Sequence, residues 1–359
     1  VTPPVPAENP VAAIRALRER LGRRVVVLTH HYQRPAIVAL GDLRGDSFEL
    51  SRLAAADAQS EAIVFCGVHF MAESAAVLAR AGQRVYHPNL AAGCPMAEMA
   101  QIGDLERAWR ELGEVLGEDP ARRVLPLAYM NTTAAVKAFV GAHGGAVCTS
   151  SNADRAMRWA LGERRTVLFV PDEHLGRNTA GALGIPADEQ VLWAPRRARG
   201  GVAPAALQRA RVILWRGHCH VHTWFEPEHV AQARAKLPGC RVYVHPECRR
   251  EVVQAADGAG STSYLVKVCA EAKAGDTIVI GTEINLIARL REEHPDVTIV
   301  PLARSLCPNM YRIGLPQLLE VLQQLDAGSP DAEEHRITVP DEVIRDARVA
   351  LERMLALPA

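Results

Sequence analysis

The stretch RVILWRGHCHVH, residues 211–222, runs from an apolar, strand-like segment directly into a polar turn that carries Cys219. The same order of apolar run, turn and cysteine recurs at RVYHPNLAAGCPMAEM (84–99) with Cys94 and at VTIVPLARSLCPNMYR (297–312) with Cys307. On either side of these segments, short β-branched or aliphatic runs alternate with Ala-rich and Leu-rich helical stretches. That alternation predicts parallel sheets covered on both faces.

The order of motifs repeats three times. The first round contains RRVVVLTHHYQ (23–33), GDSFELSRLAA (45–55), AIVFCGVHFMAESAAVLAR (62–80) and the Cys94 segment. The second contains VLPLAYMNTTAAVKAF (124–139), AVCTSSNADRAMRWA (146–160), TVLFVPDEHLGRNTA (166–180) and the Cys219 segment. The third contains CRVYVHPECRREVVQAA (240–256), GAGSTSYLVKV (258–268), DTIVIGTEINLIARL (276–290) and the Cys307 segment. Each round offers a strand ending in His or Tyr, a Ser-containing turn opening a helix, a third strand and helix, and a strand ending in Cys. The second round carries extra residues around AGALGIPADEQVLWAPRRARGG (180–201). The expected fold is therefore α/β, with three homologous three-layer αβα units, each with a parallel sheet, arranged around a pseudo-threefold axis. Expected boundaries are 1–105 with an N-terminal extension, 106–225, and 226–359 with a C-terminal helical extension. In that extension an amphipathic helix is expected to bury Val343, Ile344, Ala347, Leu351 and Met354.

Bulk properties restrict the function. A chain of 359 residues, 48% of them hydrophobic, can bury a large core. Forty-one basic and 41 acidic side chains cancel without long single-sign runs, which argues against a nucleic-acid partner and for small molecules. The opening VTPPVPAENP (1–10) has neither a basic leader nor an apolar h-region, and no segment approaches eighteen uninterrupted apolar residues. A soluble cytoplasmic protein with no membrane partner is expected. Eight cysteines are too sparse for a disulfide scaffold and form no CxxC pair.

Open parallel sheets bind ligands beyond the carboxyl ends of their strands, where all these polar motifs fall. Thiolates at Cys94, Cys219 and Cys307 could hold an iron-sulfur cluster by three of its irons, leaving the fourth as a Lewis acid. Zinc bound by the same thiolates plus His220 or His222 is the alternative metal. Cys66, Cys240 and Cys269 suit the interior, whereas Cys148 and Cys248 lie beside polar motifs as spare ligands or neighbours. Three polar pairs leave strands with a two-residue stagger that puts each pair on one face: His30 with Tyr32, Tyr129 with Asn131, and His245 with Glu247. Ser47, Ser150 and the Ser261–Thr262 pair precede helices, where they can cap, bind anions or both. Asp46, Arg52, Asp172, Glu173 and Glu283 are expected to be structural or to support the site residues from behind.

The segments THHYQ, GDSFELSR, GCPMAEM, YMNTTAAVKA, CTSSNA, PDEHLGRNTA, HCHVH, VHPEC, GSTSYL, GTEINLIARL and CPNMYRI together resemble the quinolinate synthases, the A proteins of de novo NAD biosynthesis. The resemblance implies three homologous α/β domains around a 4Fe-4S cluster held by Cys94, Cys219 and Cys307. It implies condensation of iminoaspartate with dihydroxyacetone phosphate to quinolinate, phosphate and two waters. Carried over by motif, His30, Ser47, Tyr129, Asn131, Ser150, His222, His245, Glu247, Ser261 and Thr262 line the substrate cavity, with Tyr32 beside them. Glu247 and His245 are the expected acid/base pair, and Tyr32 and Tyr129 the proton relays. An aspartate oxidase or dehydrogenase is the expected supplier of iminoaspartate. Some members carry a CxxCxxC run ending at the third ligand; here Pro301 and Arg304 occupy the other two positions, so no disulfide switch of that sort is available. The competing functions are a diphthamide-type radical transferase, an isoprenoid diphosphate reductase and a non-enzymatic iron or redox sensor.

Overall fold

The structure, a computed structural model, describes residues 9–357; most of the opening segment, residues 1–8, lies outside the described residues. Strands β1 (Val25–His30), β2 (Leu43–Gly45), β3 (Ala62–Cys66) and β4 (Arg84–Tyr86) form one sheet in the order β2-β1-β3-β4. β5 (Val124–Tyr129), β6 (Ala146–Cys148), β7 (Thr166–Val170), β8 (Gln190–Trp193) and β9 (Val212–Trp215) form a second, ordered β6-β5-β7-β9-β8. β10 (Arg241–Val244), β11 (Gly258–Ala259), β12 (Thr277–Gly281) and β13 (Thr298–Pro301) form a third, ordered β11-β10-β12-β13. All strand pairings within these sheets are parallel.

Each sheet places its second strand at one edge, then its first, third and last. The sequence repeat is thus a repeat of topology. The extra residues of the second round supply β8, which adds to the free side of β9. The central strands are apolar on both faces: β3, β5 and β7 are buried at every position, as expected for parallel strands sandwiched by crossover helices.

Compactness groups the chain differently from the repeat boundaries. One unit runs to Gly93 and takes in Cys307–Val339; the other comprises Cys94–Leu306 and Pro340–Ala359. In the smaller unit, Ile14 and Leu17 of the helix Pro10–Leu21 share a core with Leu318 and Leu322 of the helix Leu315–Ala327 and with Val27 and Val64 of the sheet. In the larger, the helix Asp341–Ala356 packs on the helix Ala134–Ala142. Ala347, Ala350, Leu351 and Met354 are buried there, while Val343 and Ile344 are half-buried. Among the described residues no helix is long and apolar enough to cross a membrane.

Candidate active site

The eight cysteines fall into two classes. Cys66, Cys148, Cys240, Cys248 and Cys269 are buried, whereas Cys94, Cys219 and Cys307 are partly exposed. Burial pushes the Cys66 and Cys269 thiols up to about 12, and raises Cys148 and Cys248 as well. Cys148 and Cys248, each 0% exposed, are therefore core neighbours with no tendency to ionise. The other three share one local geometry. Each is extended (φ/ψ −134/116 for Cys94, −90/118 for Cys219, −97/106 for Cys307) and immediately precedes a four-residue helix, at Pro95–Glu98, His220–Thr223 and Pro308–Tyr311. Proline is preorganised for the first helical position, which explains the Cys-Pro junctions at 94–95 and 307–308. Cys94 and Cys219 belong to the larger unit, Cys307 to the smaller.

Within the larger unit, strand ends build a buried polar cluster around Glu247, itself 2% exposed. Tyr129, the last residue of β5, donates its hydroxyl hydrogen bond to Glu247 Oε1. His222 Nδ1 meets Glu247 Oε2 at 3.0 Å, and His222 Nε2 meets Thr282 Oγ1 at 3.1 Å. The rings of His222 and His245 stack with centroids 4.3 Å apart and planes 16° apart. His245 Nδ1 accepts from the Glu247 amide at 3.3 Å, and Nε2 reaches Ser150 Oγ at 3.2 Å. Burial alone would raise the Glu247 carboxyl; the charges of His222 and His245 and the hydrogen bonds from His222 and Tyr129 bring it well below the ordinary carboxylate range. Cys219 Sγ, a His222 ring nitrogen and a Glu247 carboxylate oxygen all lie within 4.8 Å of one another.

A second buried acid faces this carboxylate. Asp172, 0% exposed, accepts from the Leu175 amide at 2.7 Å through Oδ1, while Oδ2 has no hydrogen-bond partner. Burial first and the Glu247 charge second push its pKa well upward. Of two acids in one dry site, Glu247 carries the charge because it alone has the imidazole partners.

The serines separate by local role. Ser261 caps the helix Thr262–Ala270, accepting from the Tyr264 amide at 3.2 Å, and Thr262 is buried at its first position. Ser47 is not a cap: Asp46 accepts from the Phe48 and Glu49 amides, both at 3.0 Å. Ser150 is also relieved of capping, because Asn152 precedes the helix Ala153–Glu163. Both are half-buried. In the smaller unit, His30 Nδ1 accepts from the Tyr32 amide at 3.1 Å and the two rings meet edge to face at 4.9 Å. Asn131 is half-buried two residues beyond β5. Asp46, Asp172 and Glu283 cap helices, as their strand-end positions suggested.

The family model for quinolinate synthetase A protein matches residues 12–356. The chain belongs to this family. Similar proteins named quinolinate synthase include those of Geobacillus kaustophilus, 48% identical over 348 residues, covering 96% of this chain and 93% of the relative. That of Acidobacterium capsulatum is 50% identical over 349 residues, covering 96% and 92%. That of Herpetosiphon aurantiacus is 49% identical over 347 residues, covering 96% and 91%. The donor set of this quinolinate synthetase A family member suits an iron-sulfur cluster, because its three partly exposed cysteines are the soft donors such clusters take. A zinc site completed by His222 fits less well, since both ring nitrogens are already engaged. Thr282, which meets His222, and Asn178, which donates to the Pro246 and Cys248 carbonyls, are structural partners of the Glu247 group that sequence reasoning missed. Thr282 sits one residue past β12, so its strand-end position was the available signal.

Proposed function

We propose that the protein is a quinolinate synthase. It condenses iminoaspartate with dihydroxyacetone phosphate, releasing quinolinate, phosphate and two waters, a redox-neutral balance that needs no external reductant. We assign Cys94, Cys219 and Cys307 as ligands of a 4Fe-4S cluster. When bound there, the cluster supplies Lewis acidity towards a substrate oxygen through an iron that no protein ligand occupies. The observation that carries this reading is the buried Glu247 carboxylate, held by Tyr129, His222 and His245 next to Cys219 in a chain matched by the family model almost throughout.

Each proposed residue has a role that its chemistry permits. Glu247, ionised and dry, takes a proton during tautomerisation of the triose and returns it when hydroxide leaves; Tyr129 and Tyr32 relay protons. His245 and His222 orient the carboxylate base. Ser150, Ser47, His30 and Asn131 hold the dicarboxylate, and Ser261 with Thr262 holds phosphate. An oxidase or dehydrogenase acting on aspartate would supply the imine, and a bacterial-type cytoplasmic setting suits such biosynthesis.

Anaerobic reconstitution with iron and sulfide, followed by a quinolinate assay, tests the reading. Wild type should form product and Cys219→Ala should form none. Product formation by Cys219→Ala, or a requirement for a reductant, would overturn it. Crystals soaked with a triose phosphate analogue should show phosphate at Ser261 and Thr262; density at Ser47 instead would reverse that assignment.

A further inference from the structure

Glu247 sits in the turn that joins β10 to the helix Arg250–Ala255. Its amide and that of Cys248 fold back on His245, to Nδ1 at 3.3 Å and to the carbonyl at 3.0 Å. The carbonyls on either side of Glu247 point elsewhere. Asn178 Nδ2 donates to Pro246 O and to Cys248 O, each at 2.8 Å. One side-chain amide therefore grips the backbone immediately before and immediately after the carboxylate.

The grip is rigidly mounted. Asn178 lies on the helix Glu173–Ala182, whose first turn is capped by Asp172 and which packs on β7, β9 and the helix Arg250–Ala255. Gly176, on the same helix, lies so close to the sheet that a Cβ there would run into Leu214 and Phe169 side chains. The helix cannot slide without breaking that contact, and the Asn178 donors are fixed with it. A buried reacting group must be held to within a fraction of an ångström, and a displacement of about 1 Å can cost about a hundredfold in rate.

We propose that Asn178 is a positioning residue that acts through Glu247 by clamping the Pro246 and Cys248 carbonyls. The catalytic half of this inference rests on the function proposed above; the clamp itself does not. Two variants remove the donors: Asn178→Ala by truncation, and the nearly isosteric Asn178→Asp, which turns an acceptor towards two carbonyls.

Hydrogen exchange of the cluster-free protein reads the clamp without reference to activity. The Glu247 and Cys248 amides should exchange at least about tenfold faster in both variants, with exchange in β5 and β7 unchanged; protection equal to wild type at the two amides overturns the proposal. In reconstituted enzyme, Asn178→Ala should lower kcat about tenfold to a hundredfold and leave KM within about twofold. Added to Glu247→Gln, it should lower kcat no further, because the residue through which it acts is already disabled. An equal fall in both backgrounds would make Asn178 a general support of the fold and overturn the proposal. If wild type itself makes no quinolinate, the functional reading fails while the exchange result still decides the clamp.

Discussion

Histidine does two kinds of work in this chain, and the hydrogen bonds tell them apart. His245 turns Nε2 towards Ser150 in the buried polar cluster around Glu247, whereas His87 closes both ring nitrogens into the backbone, meeting Gly67 O at 2.8 Å and accepting from the Asn89 amide at 3.2 Å. His87 is fully buried and its pKa falls to about 4, through desolvation first, with His69 and His335 as the charged neighbours that lower it further. Because the folded pKa lies below the unfolded value of 6.5, the unfolded chain binds a proton that the native state does not between those limits. Stability should therefore drop as pH falls from about 6.5 to about 4, by about 3 kcal/mol from this group alone. Urea midpoints measured across that range should fall in wild type and fall less in His87→Gln. Equal slopes would show that His87 titrates normally. The cysteines divide along a similar line: sequence singled out Cys94, Cys219 and Cys307, and exposure separates the same three from five interior thiols.

Short helices that start directly after strands are the recurring element here. The repeat made the strand-end cysteines and staggered pairs legible, because polarity switches abruptly there and such switches are local. It did not reveal which side chain caps each helix. Asp46 caps the helix that Ser47 begins, whereas Asn152 holds the N-cap position beyond Ser150 with its side chain turned back to accept from the Thr149 amide, so neither serine hydroxyl serves as a cap. Longer helices bring closer contacts. The helices Ala134–Ala142 and Asp341–Ala356 approach so tightly at Gly141 that a Cβ there would collide with the Asp346 carbonyl, a backbone atom that cannot rotate away. Gly141→Ala should therefore cost about 1–3 kcal/mol in chemical unfolding. No loss would mean that the final helix packs more loosely than its buried Ala347, Ala350 and Leu351 indicate.

At the scale of the whole molecule, three parallel sheets that share a four-strand order, the second extended by β8, follow from three rounds of one motif series. A ligand that binds only the folded protein raises its stability by mass action. Anaerobic protein loaded with iron and sulfide should accordingly melt above the iron-free form, and Cys219→Ala should lose that difference; an equal rise in the variant would remove Cys219 from the ligand set. The alternation of strands and helices, the triplication and the partition of polar motifs to strand ends were determined by sequence alone, because hydrophobic periodicity and turn chemistry act over a few residues. Two outcomes required the tertiary structure. After Ile313, Leu318 and Leu322 pack with the first sheet, and the helix Asp341–Ala356 packs on the helix Ala134–Ala142. Tyr129 and Glu247, 118 residues apart, share a hydrogen bond beside His222, while Asn178 reaches across from the helix Glu173–Ala182 to hold the Glu247 turn. Such meetings depend on how whole sheets and helices pack against one another, and no local pattern in the chain encodes them.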